Sequence, residues 1–301
     1  MRPTLSRLAV VLFSMPLAAS AQQDFSKVEI TTTKLAEGVH VLFGAGGNIG
    51  VSSGKDGVFV IDDQYAPMTA KVRAAVAGIS DKPIRFVLNT HWHSDHTGGN
   101  ENLGGGGAII VAHENVRKRM SVEQFIAAFN ERAPASPAAA LPVVTYAESV
   151  SFHLNGDEIH CFHLPPAHTD GDSIVHFKKA NVIHTGDLFF NGLYPFIDAS
   201  SGGSLEGMIG AADQILGMAN ETTQIIPGHG PMARKADLKV FRDMLAAVRD
   251  KMKPLIASGK TLAEVRAAKP TQAFDEKWGK GFLTPDQFVA VAYASMGGKS
   301  K

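Results

Sequence analysis

The chain has 301 residues, 45% of them hydrophobic and 19% charged, with 29 Lys and Arg against 29 Asp and Glu. That is ample apolar material for a large core, and the composition is not that of a disordered, collagen-like or low-complexity protein. Balanced charge leaves no electrostatic footprint for nucleic acid, and a lone cysteine, Cys161, excludes an intramolecular disulfide framework and any multi-cysteine metal site.

Residues 1–21 read as a cleavable export signal. Arg2 and Arg7 form a short basic start, an apolar stretch follows, and Ala19-Ser20-Ala21 gives the small-x-small ending. The expected product is a slightly acidic domain spanning 22–301, periplasmic or secreted, with no stable membrane insertion after cleavage. In an oxidising compartment Cys161 can only be free or intermolecular, and its apolar neighbours favour a buried structural thiol.

From Lys27 to Asp62 the pattern is a β-meander, with strands such as Val39–Phe43, 49–52 and 58–61 separated by glycine-rich turns. A helix is predicted over 71–79, then strands at 84–88 and 108–112. A further helix is expected to carry Val116, Met120, Phe125 and Ile126, with Ser121 capping its second segment. Residues 132–142 are rich in Ala and Pro and read as a surface connection. The second half repeats the theme, with strands at Ser149–Leu154, 159–164, Ser173–Phe177, Val182–His184 and Gln224–Ile226. Helices are predicted at Leu205–Met218, 236–258 and 261–268, and Thr284-Pro285-Asp286-Gln287 is a helix start. Strands then helices, twice over, imply two packed sheets with helices outside.

Directly after the 84–88 strand comes His91-Trp92-His93-Ser94-Asp95-His96-Thr97-Gly98-Gly99. Residues two apart in extended backbone point the same way, so His91 and His93 can grip one ion. Asp95 and His96 are adjacent and diverge, which suggests a second ion beside the first. Imidazole and carboxylate without thiolate suit zinc, with iron or manganese as alternatives. The spacing is not that of a helical HExxH site, and Gly44-Ala45-Gly46-Gly47 does not fit a dinucleotide-binding turn.

The segment from His91 to Gly99 resembles the signature of the metallo-β-lactamase superfamily, and later motifs of that family recur in order. Pro166-Ala167-His168-Thr169-Asp170-Gly171-Asp172-Ser173 resembles its second histidine motif, His184-Thr185-Gly186-Asp187 its acidic motif, and Ile226-Pro227-Gly228-His229-Gly230 its last. The resemblance implies a four-layer αββα sandwich with mixed sheets. It also implies a first zinc on His91, His93 and His168, and a second on Asp95, His96 and His229, with Asp187 bridging. Asp62, at the end of the 58–61 strand, is implied as a supporting residue behind the ligands. The implied chemistry is hydrolysis of an amide, lactam, ester or lactone in a small-molecule substrate by a hydroxide shared between the metals, with Asp95 orienting it. Where the best-known β-lactamase subclass has cysteine this chain has Asp187, and where that subclass has a substrate-binding lysine it has Phe190. Asp187 is instead the pattern of glyoxalase II-like thioesterases and lactonase-like relatives, β-lactam stays a candidate substrate, and a mononuclear iron oxidoreductase of the same fold, of the persulfide dioxygenase kind, is the other alternative. His40, His153, His160, His163, His176 and His184 alternate with apolar residues and read as sheet residues. Residues 193–203 have no assigned role.

Overall fold

A run such as Val58-Phe59-Val60-Ile61, apolar at every position, needs burial on both faces of its sheet. The computed structural model describes residues 24–298, so the export-signal segment lies outside the described residues. Seven strands form the first sheet: β1 (Thr31–Ala36), β2 (Val39–Phe43), β3 (Ile49–Gly54), β4 (Gly57–Ile61), β5 (Ile84–Asn89), β6 (Ile109–His113) and, after a small hairpin of β7 (Gln124–Ile126) and β8 (Glu131–Ala133), β9 (Val144–Tyr146). The first four are antiparallel neighbours, whereas β4, β5, β6 and β9 run parallel. The second sheet holds β10 (Ser149–Leu154), β11 (Asp157–His163), β12 (Ser173–Phe177), β13 (Val182–His184) and β14 (Gln224–Ile226), antiparallel except for the last pair.

Alternation along each strand sorts the side chains into layers. Phe59, Ile61, Leu88 and Val111 of the first sheet meet Ile159, Cys161, Val175, Phe177 and Ile226 of the second in one buried cluster. Val58, Val60 and Val87 point the other way, onto Val72 and Val76 of α1 (Thr69–Ala77), and Leu103 belongs to the same layer. Across the molecule, Ile174, Ile183 and Ile225 pack beneath helices that include Leu205–Met218, Lys235–Ala257 and Pro285–Ser295. The result is the expected αββα sandwich. Among the described residues no helix is long and apolar enough to cross a membrane.

The helix Pro285–Ser295 begins as predicted from a capping box of Thr284 with Gln287, and a second box, Thr261 with Glu264, opens Leu262–Ala267. One expectation fails. The helix through Val116 and Met120 covers only Glu114–Met120, and Ser121 ends it instead of capping a second segment. Phe125 and Ile126 lie on β7, paired in register with Arg132 and Glu131 of β8. Val116 and Met120 keep the four-residue spacing of one helix face, but Phe125, five residues on, leaves it, and a short aromatic and β-branched run such as Phe125-Ile126 suits a strand as well. Residues 132–142 accordingly do more than connect, since they carry part of β8 and the turn Ala138–Ala140.

Cys161 is a free thiol buried between the sheets, and burial pushes its pKa up. It should resist alkylation in the native protein and react only on unfolding, as mass spectrometry of iodoacetamide-treated samples would show. Phe177 is fully buried in the same layer, so Phe177→Ala should cost about 3–5 kcal/mol by denaturant unfolding, the loss typical of a large aromatic removed from a core.

Candidate metal centre

Loops that follow strand ends along one edge of the sandwich carry every predicted site residue. Asp62 follows β4; His91, His93, Asp95 and His96 follow β5; His168 sits between β11 and β12; Asp187 follows β13; and His229 follows β14. Parallel strands present their carboxyl ends on one side, which is where α/β sheets gather ligand-binding loops. The structure brings the seven proposed ligands into one group. Donor atoms of His91, His93 and His168 lie within 4.8 Å of one another, as do those of His91, His96 and Asp187, and those of Asp95, His96 and His229. Asp187 stands between the triads: its Oδ1 is 3.1 Å from His96, and its Oδ2 is 3.4 Å from His229, 3.5 Å from His168 and 3.8 Å from His91.

The remaining nitrogen of most rings is anchored outside the cluster. His96 Nδ1 lies 2.7 Å from Asp62, whose carboxylate also accepts from the Thr90 backbone N–H and hydroxyl. Thus Asp62 stands behind His96. His168 Nδ1 meets the Phe196 carbonyl at 2.8 Å, His91 Nδ1 meets Thr90 Oγ1 at 3.1 Å, and His93 Nε2 meets Asp198 at 3.2 Å. Ring nitrogens then face inward: His93 Nδ1 is 2.8 Å from His168 Nε2, and His96 Nε2 is 3.4 Å from His229 Nε2. Such outer hydrogen bonds fix ring orientation and tautomer in metal sites.

Burial holds the His91 imidazole well below its usual range and brings His168 to about 4, so both are neutral near pH 7. Burial also works against protonation of His96 and His229, but the carboxylates of Asp187 and Asp95 outweigh it, raising His96 well above the ordinary value and His229 to about 9. The same pairing, opposing burial, lowers Asp95 to about 2 and Asp187 well below the carboxylate range. Within the cluster His91 Nε2 and Asp187 Oδ1 are buried without a hydrogen-bond partner. Orphaned acceptors at the centre of converging imidazoles and carboxylates are the arrangement a divalent cation satisfies, and the nitrogen and oxygen donor set fits zinc.

Several supporting residues escaped the sequence reading. Asp172 accepts from the backbone N–H groups of His168 and Thr169 and from the Thr169 hydroxyl, fixing the His168 loop, while burial pushes its own carboxyl up to about 7. Its only local signal was the Asp170-Gly171-Asp172 turn. Asp198 had none, because it reaches His93 from 105 residues away. It lies in the 193–203 segment, whose role is thereby supplied: Leu193 and Phe196 line the cavity and Asp198 holds a histidine. Ser200 of that segment donates to Asp198 and accepts from the Ala127 N–H in the β7–β8 hairpin. Gly47 and Gly228 are the close approaches that matter, since a Cβ would stand 2.1 Å from the His96 ring at the first and 2.0 Å from Asp187 Oδ1 at the second. His184 is buried in the core layer, its Nε2 against the Asn48 carbonyl, as its alternating strand pattern implied.

The cluster floors a cavity of about 830 Å³ reached by His93, Asp95, Asp187 and His229. The profile of the metallo-beta-lactamase superfamily matches residues 43–229, from β2 through the last histidine. The chain belongs to the metallo-beta-lactamase superfamily. A metallo-beta-lactamase from Pontibacter korlensis superposes with a TM-score of 0.59 at 20% identity, covering 72% of this chain and 99% of that one. A double mutant of the sec-alkyl sulfatase PisA1 gives 0.67 at 17% identity, with 92% of this chain against 51% of the sulfatase. The alpha subunit of 2,4-dinitroanisole O-demethylase from Nocardioides sp. (strain JS1661) is 26% identical over 143 residues, 46% of this chain. That match spans 40% of the demethylase subunit's length.

Gly47→Ala should displace the His96 ring and weaken uptake of a divalent cation by the Asp95–His96–His229 group about 10–100-fold. Calorimetric zinc titration measures this, with circular dichroism checking that the fold is retained.

Proposed function

We propose that the protein is an exported, zinc-dependent hydrolase that cleaves an ester, lactone, amide or lactam bond in a small molecule. The observation that carries the reading is the position of Asp187, 3.5–3.8 Å from His168 and His91 of one donor triad and 3.1–3.4 Å from His96 and His229 of the other, beside an open cavity. His91, His93 and His168 would hold one zinc, Asp95, His96 and His229 the other, and Asp187 would contact both. Zinc there supplies Lewis acidity, polarising a substrate oxygen and bringing the pKa of water toward neutrality.

The chain's own groups do the rest. Asp95, with its side chain one-fifth exposed, lines the cavity and orients an attacking water. Asp62, Asp198 and the Phe196 carbonyl hold the imidazoles in fixed tautomers, so no reorganisation is needed during reaction. Trp92 and Phe196 keep part of the wall dry beside His93. Hydrolysis also fits the names of the structural neighbours, a metallo-beta-lactamase and a sec-alkyl sulfatase. Export rests on the first 21 residues alone.

Metal analysis of the protein expressed in zinc medium should give two equivalents. His93→Ala or His168→Ala should lose the first, and His229→Ala should chiefly weaken the second, each lowering hydrolysis in a panel of esters, lactones and lactams by at least about 100-fold. One equivalent of iron with oxygen consumption, or two full zinc equivalents in the variants, would overturn the assignment.

A further inference from the structure

One wall of the cavity is not needed by the chemistry at its floor. Phe129, in the turn of the β7–β8 hairpin, packs on Phe196 with ring centroids 4.8 Å apart and on Phe282 at 5.4 Å. Met120, Ile126 and Leu193 continue this apolar face. Two of the rings remain open to water, Phe129 at 37% and Phe282 at 67% exposure. Contiguous exposed apolar surface at a cavity mouth marks a recognition surface.

Charge on the same wall is already spent. Among the described lining residues the only lysine or arginine side chains are Arg119 and Arg132. Arg119 makes two 2.7 Å hydrogen bonds to Asp170 and a third to Gln124. Arg132 pairs with Glu123 and lies over the Phe125 ring. Glu131 adds a negative charge nearby, and Phe190 stacks on His229 at 5.2 Å at the edge of the donor cluster. Among the described residues no unpaired lysine or arginine is left on this wall to anchor a carboxylate carried away from the scissile bond.

We infer that the pocket selects esters or lactones whose non-reacting part is an uncharged alkyl or aryl group, held by Phe129, Phe282 and Phe196. The inference rests on the hydrolase reading above and narrows it. Water adds its oxygen to the acyl carbon, the acyl C–O bond breaks, and the departing alcohol takes a proton. A remote carboxylate on the acyl chain would be desolvated against aromatic rings without a partner, which opposes binding.

Phenyl acetate, phenyl octanoate and monophenyl suberate test this with the zinc-loaded protein, since the last two match in length and differ in a terminal carboxylate. Octanoate should exceed both acetate and suberate in kcat/KM by at least about tenfold, given roughly fourfold per buried methylene. Phe129→Ala and Phe282→Ala should each shrink the octanoate-to-acetate ratio about three- to tenfold, and Phe129→Leu should restore most of it. Calorimetry with octyl phenyl ether, uncharged and without an acyl carbon to attack, separates binding from turnover. If no ester is cleaved but the ether binds and Phe129→Ala weakens it, the pocket assignment stands and the ester-hydrolase reading falls. Equal rates for suberate and octanoate, absence of a chain-length preference, or no binding of the ether would overturn the inference.

Discussion

A carboxylate almost fully removed from water, Asp187, sets the terms for the rest of this molecule. Burying an ionised group is expensive unless opposite charge and hydrogen-bonding groups surround it. Here four imidazoles approach within 3.1–3.8 Å, and they come from both sheets. His91 and His96 arrive from the end of β5, His168 and His229 from loops of the second sheet. The backbone makes room at Gly228, where any side chain would collide with the carboxylate. Sheet packing, loop length and local glycine are thus arranged around one charge.

Around that centre lies a ring of groups that make no use of the inward-facing nitrogens. Thr90, Asp62, Asp198 and the Phe196 carbonyl each take the outer nitrogen of one histidine. Asp62 is itself held in left-handed backbone, φ 60°, by a network in which it accepts from Thr90 twice. Strained backbone of that kind persists only where neighbours over-determine it. Asp62 and Thr90 thus brace the His96 and His91 rings while bonded to each other.

Legibility in the sequence followed how local each signal was. The sandwich could be read because strands buried on both faces are apolar at consecutive positions, as in Val58–Ile61 and Ile174–Val175, and because helix caps such as Thr284 act over three residues. His91, His93, Asp95 and His96 announced themselves by density within six residues; His168, Asp187 and His229 were legible only through motif order along a known family pattern. Asp198 carried no signal, since its partner is 105 residues away and its neighbours are ordinary loop residues. The hairpin of β7 and β8 was not legible because its short apolar pair, Phe125-Ile126, suits a helix or a strand alike, while pairing with β8 and the contacts of Phe129 to Phe196 and Phe282 decide its form. Tertiary partners outweigh local pattern in so short a segment.

The donors are split between the layers, four from the loop after β5 and three from loops of the second sheet. A cation held by such a set would also be a cross-link between the two sheets. Its binding energy would exist only in the docked state and be absent from the unfolded chain, so the apparent melting temperature would depend on free ion concentration. Chelation would then loosen the joint between the layers, not just empty a pocket.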